Sequence, residues 1–261
     1  MKFIIGVDCD GVACVVGQPG RALSDSCDMS FARLQATREA DAAARALLDN
    51  GAGEVIVWDN HGSGANLEFD LLDRRCRVAL GSGFGRRWPG LDGTFAGVLM
   101  VGYHAMEGTS GGVLAHTYSP SAFRCVAVNG VEMGEIALDA AVAGAHGVPL
   151  IFVASDEAGC AEARRFVPSV ETVATKQGVG CNAALGKHPA VVVEEIYQGV
   201  CRAVARRGEI KPFAIPPPAV VEIRFKHVYQ ALKARLRRSG WRLAGPWTIR
   251  KELASLAEWA C

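Results

Sequence analysis

The segment KFIIGVD (2–8) is a short run rich in apolar and β-branched residues, which is typical of a strand buried on both faces of a sheet. From about 30–49 the apolar side chains recur at helical spacing, and Asn50-Gly51 is suited to end that helix. The segment GEVIVWD (53–59) then repeats the strand pattern. Strand, helix and strand in this order predict a right-handed βαβ unit, so the two strands should be parallel.

Two later runs, GVLMVGYH (97–104) and VPLIFVASD (148–156), carry the same strand pattern. An alanine-rich stretch from Gly134 to Ala145 lies between them and is predicted to be helical. Beyond the second run, the sequence predicts a helix, a short strand and a further helix at 157–165, 170–174 and 189–207. The predicted fold class is therefore α/β, with three layers and a mostly parallel central sheet.

The segment KPFAIPPPAV (211–220) has four prolines among its ten residues, which excludes a helix and suits a linker. We predict a domain boundary here, with a larger α/β domain at 1–210. A small C-terminal α+β region is predicted at 219–261, where a strand precedes helices expected at 227–238 and 249–259.

The chain has 28 basic and 27 acidic residues, a formal net charge of +1, so no overall field favours nucleic acid or an anionic membrane. Its nine cysteines are an odd number and include no CxxC pair, which argues against a disulfide framework. The first apolar run is interrupted by Asp8 and is too short for a signal peptide or a membrane span. We therefore predict a cytoplasmic protein that binds neither nucleic acid nor membranes.

Three of the predicted strands end in side chains of the kinds that bind metals. Asp8 and Asp10 end the first strand, Asp59 and His61 end the second, and His104 ends the third. In open parallel sheets the ligand site lies beyond the carboxyl ends of the strands, so these side chains are expected to meet. Alternation along the strand places Asp8 and Asp10 on the same side, where they can share one site.

Carboxylates and imidazoles together suit zinc and, with additional oxygen ligands, manganese or another divalent ion. Carboxylates that bridge can hold two metals about 3.5–4 Å apart and lower the pKa of a bound water, which favours hydrolysis. Any one of these residues alone could instead be a helix cap or a hydrogen-bonded loop residue. Their occurrence together at three strand ends favours the metal site over that structural interpretation.

Two further residues have roles that the residues alone leave open. His116 follows a glycine-rich loop, Gly108 to Gly112, in which the backbone can approach a substrate closely. It could act as a general acid–base, as a nucleophile or as an ordinary loop residue. Glu135 lies at the expected start of a helix, where a carboxylate could simply complement the helix dipole.

One apparent motif does not support the chemistry that it suggests. The segment GSGFGRR (81–87) resembles a phosphate-binding glycine loop. It lacks the Lys-Ser/Thr pair of a P-loop and the helix of a dinucleotide fold, so it does not predict nucleotide binding.

Several longer segments together resemble one known family. They are VDCDGVA (7–13), GAGEVIVWDNHG (51–62), GLDGTFAGVLMVGYHA (90–105), GGVLAHT (111–117) and VNGVEMGEIALDAAVAGAHGVPLIFVASD (128–156). Jointly they resemble the DppA-like family of zinc D-aminopeptidases, also called dipeptide transport proteins. Lys176, in VATKQG, also lies where that family carries a lysine near the active site.

The resemblance implies a site built from six residues. The ligands of two zinc ions would be Asp8, Asp10, His61, His104 and Glu135. His116 would be the catalytic residue. The family's first motif usually reads D-x-E-G, so Asp10 is one methylene shorter than the family's residue. The resemblance also implies a homo-oligomer, in the form of a ring-shaped decamer that encloses the active sites and admits short peptides.

These interpretations predict an enzyme whose metal-binding catalytic domain is 1–210. It would be a zinc-dependent aminopeptidase that hydrolyses short peptides by means of a metal-bound hydroxide. Preference for an N-terminal D-residue is implied by the resemblance alone. Two alternatives remain: a metal-dependent amidohydrolase that acts on a non-peptide amide or acyl-amino compound, and a non-catalytic protein that binds dipeptides on the same scaffold.

Overall fold

The computed structural model describes residues 1–19, 21–26 and 28–260. The strands, in chain order, are β1 (Lys2–Val7), β2 (Glu54–Asp59), β3 (Arg77–Ala79), β4 (Gly97–Tyr103), β5 (Phe123–Val128), β6 (Val131–Glu132), β7 (Leu150–Ser155), β8 (Glu171–Ala174), β9 (Lys176–Gly180), β10 (Ala183–Gly186), β11 (Ala219–Phe225), β12 (Arg242–Gly245) and β13 (Thr248–Leu253). The α-helices are α1 (Met29–Asp49), α2 (Glu135–Ala145), α3 (Glu157–Phe166), α4 (Pro189–Arg206) and α5 (Val228–Arg237).

Six strands form a central sheet in the order β3-β2-β1-β4-β7-β8, and each neighbouring pair is parallel. The apolar runs of the sequence form β1, β2, β4 and β7, and these strands are almost entirely buried. Such burial is expected of a parallel sheet that is covered by helices on both faces. The predicted α/β class with a parallel central sheet is confirmed.

Helices lie on both sides of this sheet. α1 packs against α4, and α2 packs against α3. α2 is apolar around almost its whole circumference and is buried over nearly its full length, as expected for a helix enclosed by other layers. Across the part of the chain that is described, none of the helices combines the length and the apolar composition needed to span a bilayer.

A second sheet is antiparallel and has the strand order β12-β13-β11-β5-β6. Two of its strands, β5 and β6, come from the part of the chain before residue 210. The C-terminal region therefore completes a sheet to which the earlier part also contributes. The division into domains at 1–210 and 219–261 stays a prediction.

The C-terminal region differs from the prediction in one element. α5 confirms the helix expected at 227–238, but the helix expected at 249–259 is wrong. That segment forms nearly all of β13 and then a short 3₁₀ turn, and Ile249 and Leu253 are buried in the core. The reason is tertiary: β13 pairs with β11 on one side and β12 on the other, and these partners are not visible in the local sequence.

Candidate metal centre

The sheet order brings three of the predicted metal-binding segments together. β1 lies between β2 and β4, so the carboxyl ends of these three strands are neighbours at one edge. Asp8 and Asp10 follow β1, His61 follows β2, and His104 follows β4. Glu135 is the first residue of α2 and is also buried there. All five side chains meet at this edge of the sheet.

The turn after β1 passes unusually close to the end of β4. The backbone N–H of Asp8 donates to the carbonyl of Val101 at 2.8 Å, and that of Gly11 donates to Gly102 at 2.7 Å. A Cβ atom at Gly11 would lie 1.7 Å from the carbonyl oxygen of Tyr103. Only glycine allows this approach, which places Asp8 and Asp10 over the end of the neighbouring strand.

Asp8 contacts both histidines of the cluster. Nδ1 of His61 lies 2.6 Å from Oδ1 of Asp8 and 3.2 Å from Oδ2 of Asp10. Nε2 of His104 lies 3.5 Å from Oδ2 of Asp8 and 3.3 Å from Oε1 of Glu135. Two groups able to hold a metal therefore share Asp8.

A third group that could hold a metal includes His116, with Asp10 and His104. Nδ1 of His116 lies 2.8 Å from the carbonyl oxygen of Leu114, which can only accept, so this nitrogen carries the hydrogen. Nε2 lies 3.8 Å from Oε1 of Glu135. His116 therefore presents an unprotonated nitrogen to the cluster when its ring is neutral.

Asp59, at the end of β2, does not join the cluster. Its carboxylate accepts hydrogen bonds from the backbone N–H groups of Asn66 and Leu67 and from the side-chain amide of Asn66. The same amide also donates to the carbonyl of His61. Asp59 therefore holds the loop after β2 and, through Asn66, the backbone that carries His61.

The carboxylates of the cluster shift the pKa values of its histidines upward. Burial alone would lower the pKa of His61, but Asp10 and Asp8 raise it to about 11. Burial opposes a charge on His104 in the same way, and Glu135 raises the pKa of His104 to about 10. Burial favours protonation of Asp10 and Glu135, but their histidine neighbours lower both pKa values. The cluster thus requires positive charge, which divalent cations supply in place of protons.

Two atoms of the cluster are buried without a hydrogen bond. Oδ2 of Asp10 and Nε2 of His104 have no hydrogen-bond partner among the described residues. Oδ2 of Asp10 lies 3.2 Å from Nδ1 of His61, and that nitrogen lies closer, at 2.6 Å, to Oδ1 of Asp8. Buried polar atoms are almost always satisfied, and a carboxylate oxygen with an imidazole nitrogen is a suitable donor set for zinc. The residues therefore fit the metal that the sequence predicts.

The cluster opens into a cavity of about 720 Å³. Its lining includes Asp8, Asp10, His61, His116 and Glu135. A second cavity of about 800 Å³ also contains Asp10 and His116 in its lining, so the two adjoin at the cluster. Cavities of this size accommodate a small organic ligand.

Comparison with known proteins assigns the chain to a family. A family model described as D-aminopeptidase matches residues 1–259. The chain belongs to the D-aminopeptidase family. The recognition made from the sequence motifs is confirmed, and so is the expectation of an enzyme.

Two relatives within the D-aminopeptidase family are similar along almost the whole chain. The D-aminopeptidase of Bacillus subtilis (strain 168) is 32% identical over 241 residues, which cover 90% of this chain and 85% of the relative. A solved structure, described as the Zn-dependent D-aminopeptidase DppA from Bacillus subtilis, a self-compartmentalizing protease, superimposes with a TM-score of 0.90. The superposition covers 99% of this chain and 93% of the other, at 29% identity.

All six residues predicted from the sequence, Asp8, Asp10, His61, His104, His116 and Glu135, lie together in this structure of a D-aminopeptidase family member. Their individual roles as ligands or as catalytic residue stay a prediction. Lys176, which the resemblance placed near the site, is buried, and its Nζ donates to the carbonyls of Asp10, Val12 and Val15.

Sequence reasoning missed a polar group beside the cluster, made up of Arg87, Tyr103, Tyr118 and Asp139. Asp139 is fully buried in α2 and is the acidic residue in the interior of the helix sequence EIALDAAVAGA. A single carboxylate among apolar neighbours is costly unless it is paired, and this signal could have been read from the sequence. Its partner Arg87 is the last residue of the glycine-rich segment 81–87. This segment therefore contributes a side chain to the polar group beside the cluster.

Proposed function

We propose that this chain is a zinc-dependent aminopeptidase that removes N-terminal residues, preferentially D-residues, from short peptides. The proposal rests on a buried cluster that could hold metal ions, formed by Asp8, Asp10, His61, His104 and Glu135. The chain that carries this cluster belongs to the D-aminopeptidase family. D-residues are supported by both relatives, which are named D-aminopeptidases, and zinc is supported by the solved structure, which is described as Zn-dependent.

Two zinc ions per chain are assigned to the two groups that share Asp8. Asp10 and His61 complete one group, and His104 and Glu135 complete the other. When bound, zinc polarises a carbonyl oxygen and lowers the pKa of a coordinated water. Asp10 is one methylene shorter than the usual residue of the family, but its Oδ2 lies 3.2 Å from Nδ1 of His61 and so still reaches the cluster.

His116 is assigned the transfer of protons. Its Nδ1 is held by the carbonyl of Leu114, and its Nε2 lies near Glu135 at the cavity. A neutral imidazole in this orientation accepts a proton at Nε2 from the attacking water and donates it to the amine that leaves. The side chain is 14% exposed, so it reaches the cavity, where substrate binds.

The metal centre also favours a free amino terminus. With zinc held by Asp8, Asp10 and Glu135, the unprotonated α-amine of a peptide in the cavity could bind the metal through its lone pair. A peptide with an acetylated N-terminus lacks this ligand. We therefore assign the substrate as a peptide with a free amine rather than an N-acyl compound.

We further propose that the chain forms a homo-oligomer, namely a decameric ring, and that it acts in the cytoplasm. The oligomer is supported by the description of the solved relative as self-compartmentalizing. The compartment is supported by the seven described cysteines, which are all unpaired. Light scattering of the native protein should give the mass of ten chains, and a monomeric mass would contradict the ring.

The substrate proposal is tested with a panel of peptides on the zinc-loaded protein. The panel contains D-Ala-D-Ala, L-Ala-L-Ala, D-Ala-L-Ala and the N-acetylated form of each. We expect hydrolysis of the free peptides that begin with a D-residue, and little or no hydrolysis of the acetylated forms. Faster hydrolysis of the acetylated compounds would favour an amidohydrolase instead, and binding without any turnover would favour a dipeptide-binding protein.

A further inference from the structure

Arg87 is held rigidly at the edge of the catalytic cavity. Its Nε and Nη2 donate to the two carboxylate oxygens of Asp139, the first at 2.9 Å. Its guanidinium lies over the ring of Trp58, 4.7 Å from the ring centroid, and over that of Tyr118, at 5.0 Å. A bidentate ion pair between two aromatic rings fixes both the position and the plane of the guanidinium.

The negative charge of Asp139 is shared with further donors. The hydroxyl groups of Tyr103 and Tyr118 also donate to its carboxylate, at 2.9 and 3.1 Å. Asp139 is therefore satisfied on both oxygens, and Arg87 need not supply all the compensation. An arginine has five N–H donors, and Asp139 receives two of those of Arg87.

The remaining donors of Arg87 are available to a ligand. Its Nη1 makes no hydrogen bond to any residue that the structure describes. The side chain is 12% exposed and lines the same cavity as Asp8, His116 and Glu135.

The partner of Arg87 lies one helical turn from a proposed zinc ligand. Asp139, which pairs with Arg87, and Glu135 are four residues apart on α2, so their Cβ atoms are about 5–6 Å apart on one face. Tyr118 links them, since its backbone N–H donates to Glu135 at 2.6 Å and its hydroxyl donates to Asp139. Arg87 and Glu135 line the same cavity, so a short peptide bound in it can contact both the cluster and the guanidinium.

Two cationic side chains line this cavity and differ in how they are held. Arg87 and Arg238 can both attract a carboxylate of a bound ligand. The side chain of Arg238 follows α5 and makes no hydrogen bond or ion pair with the described residues, so it is not held in place. Arg87 is the cation that the fold has oriented.

We propose that Arg87 binds a carboxylate of the substrate, so that this enzyme selects short peptides that carry one beside the scissile amide. The inference rests on the proposed peptidase function and names its substrate class. Two sources can supply the group, namely the C-terminal carboxylate of a dipeptide and the acidic side chain of the N-terminal residue. Both offer the planar pair of oxygens that a guanidinium binds through two hydrogen bonds.

The first measurement compares kcat/KM for peptides with and without the carboxylate. D-Ala-D-Ala against D-Ala-D-alaninamide tests the C-terminal group, and D-Asp-D-alaninamide against D-Asn-D-alaninamide tests the side chain. The wild type should prefer the charged member of one pair. In the double variant Arg87→Met/Asp139→Asn this preference should fall roughly 10- to 100-fold, since charge-assisted hydrogen bonds are lost.

The double variant is chosen because Arg87→Met alone leaves the buried carboxylate of Asp139 without its cation, with only the two tyrosine hydroxyls to stabilise the charge. An asparagine at 139 keeps the shape of the side chain, still accepts a hydrogen bond from one tyrosine hydroxyl at its amide oxygen, and can donate from its NH2 group to the other hydroxyl. Arg75 is the matched control, because it forms the same kind of bidentate pair with Asp73 at the surface, outside both cavities that adjoin the cluster. Arg75→Met should leave the preference of the wild type intact.

A second measurement does not depend on turnover. N-acetyl-D-alanine, compared with N-acetyl-D-alaninamide, is titrated calorimetrically into the zinc-loaded wild type and variants. The acid should bind at least about tenfold more weakly to the double variant. An unchanged preference in the double variant, or a loss that occurs only in Arg238→Met, overturns the proposal. Binding that depends on Arg87 in a protein that hydrolyses no peptide would instead contradict the proposed function and leave the carboxylate site standing.

Discussion

The rings of His104 and His116 are stacked, with centroids 3.8 Å apart and planes 10° apart. Nδ1 of His104 lies against the carbonyl of Ala105, and Nδ1 of His116 lies against that of Leu114. Nε2 of both rings therefore faces Oε1 of Glu135. The two imidazoles differ in depth, because His104 is fully enclosed and His116 reaches the cavity. The same orientation thus suits the inner ring to a metal and the outer ring to proton transfer.

This pair gives the first prediction. His104→Ala should abolish turnover and reduce bound zinc, because it removes a side chain that lies between Asp8 and Glu135. His116→Ala should lower kcat by about 100-fold or more while zinc content stays near that of the wild type. Zinc is measured by inductively coupled plasma mass spectrometry, and His146→Ala, outside the cluster, is the control. Wild-type activity in His116→Ala would show that this residue does not transfer protons.

The second prediction concerns Lys176, which fixes the loop that carries Asp10. Its Nζ donates to the carbonyls of Asp10, Val12 and Val15 at 2.6, 2.8 and 2.6 Å. Lys176→Met leaves these three acceptors without their donor, so we expect a loss of at least about 3 kcal/mol in the free energy of unfolding. Zinc affinity should also fall, because the backbone at Asp10 is released.

The matched control is Lys187→Met, since Lys187 pairs with Glu195 at 2.6 Å on the surface. This variant should unfold within about 1 kcal/mol of the wild type. Urea denaturation measures both free energies. If Lys176→Met were as stable as the control and bound zinc equally well, the loop would have to be held by other contacts.

The third prediction concerns pH and Glu39, a fully buried residue of α1. Burial raises the pKa of its carboxyl from the ordinary value of 4.5 to about 7, although Ala13 and Gln35 donate hydrogen bonds to it. The folded state therefore holds this proton more tightly than the unfolded state. Its contribution to stability is complete below about pH 4.5 and is lost as the pH rises through about 7.

Glu39→Gln should remove that loss, because an amide stays neutral. Relative to the wild type, the variant should gain stability between pH 5 and pH 8, by a change on the order of 3 kcal/mol. Melting temperatures of both proteins across this range measure the effect, with the exposed Glu194→Gln as control. A difference between variant and wild type that does not change with pH would mean that Glu39 titrates normally.

Most of the sheet and the site could be predicted from the sequence, because both depend on local patterns. Apolar runs in the sequence mark β1, β2, β4 and β7. Three of these strands are followed by Asp8, Asp10, His61 and His104. These side chains converge because parallel strands end at one edge of the sheet. His116 and Glu135 do not follow a strand in this way. Only the family resemblance assigned them to the site, and in the structure both lie beside the same strand ends.

The features that sequence reasoning missed depend on partners far away in the chain. Residues 249–253 form a strand because β11 and β12 pair with them, although their local pattern also suits a helix. Arg87 and Asp139 are separated by 52 positions, and neither segment indicates the other. The position of Asp139 in an apolar helix indicates a buried partner, but only the tertiary structure shows that this partner is Arg87.

The central claim is that the cluster at the ends of β1, β2 and β4 binds the zinc that peptide hydrolysis requires. The most direct measurement removes metal with a chelator, confirms that the chain stays folded, and titrates zinc back while hydrolysis of D-Ala-D-Ala is recorded. We predict no turnover without metal, and recovery that reaches its maximum at two zinc ions per chain. Full activity in protein that contains almost no divalent metal would contradict the claim.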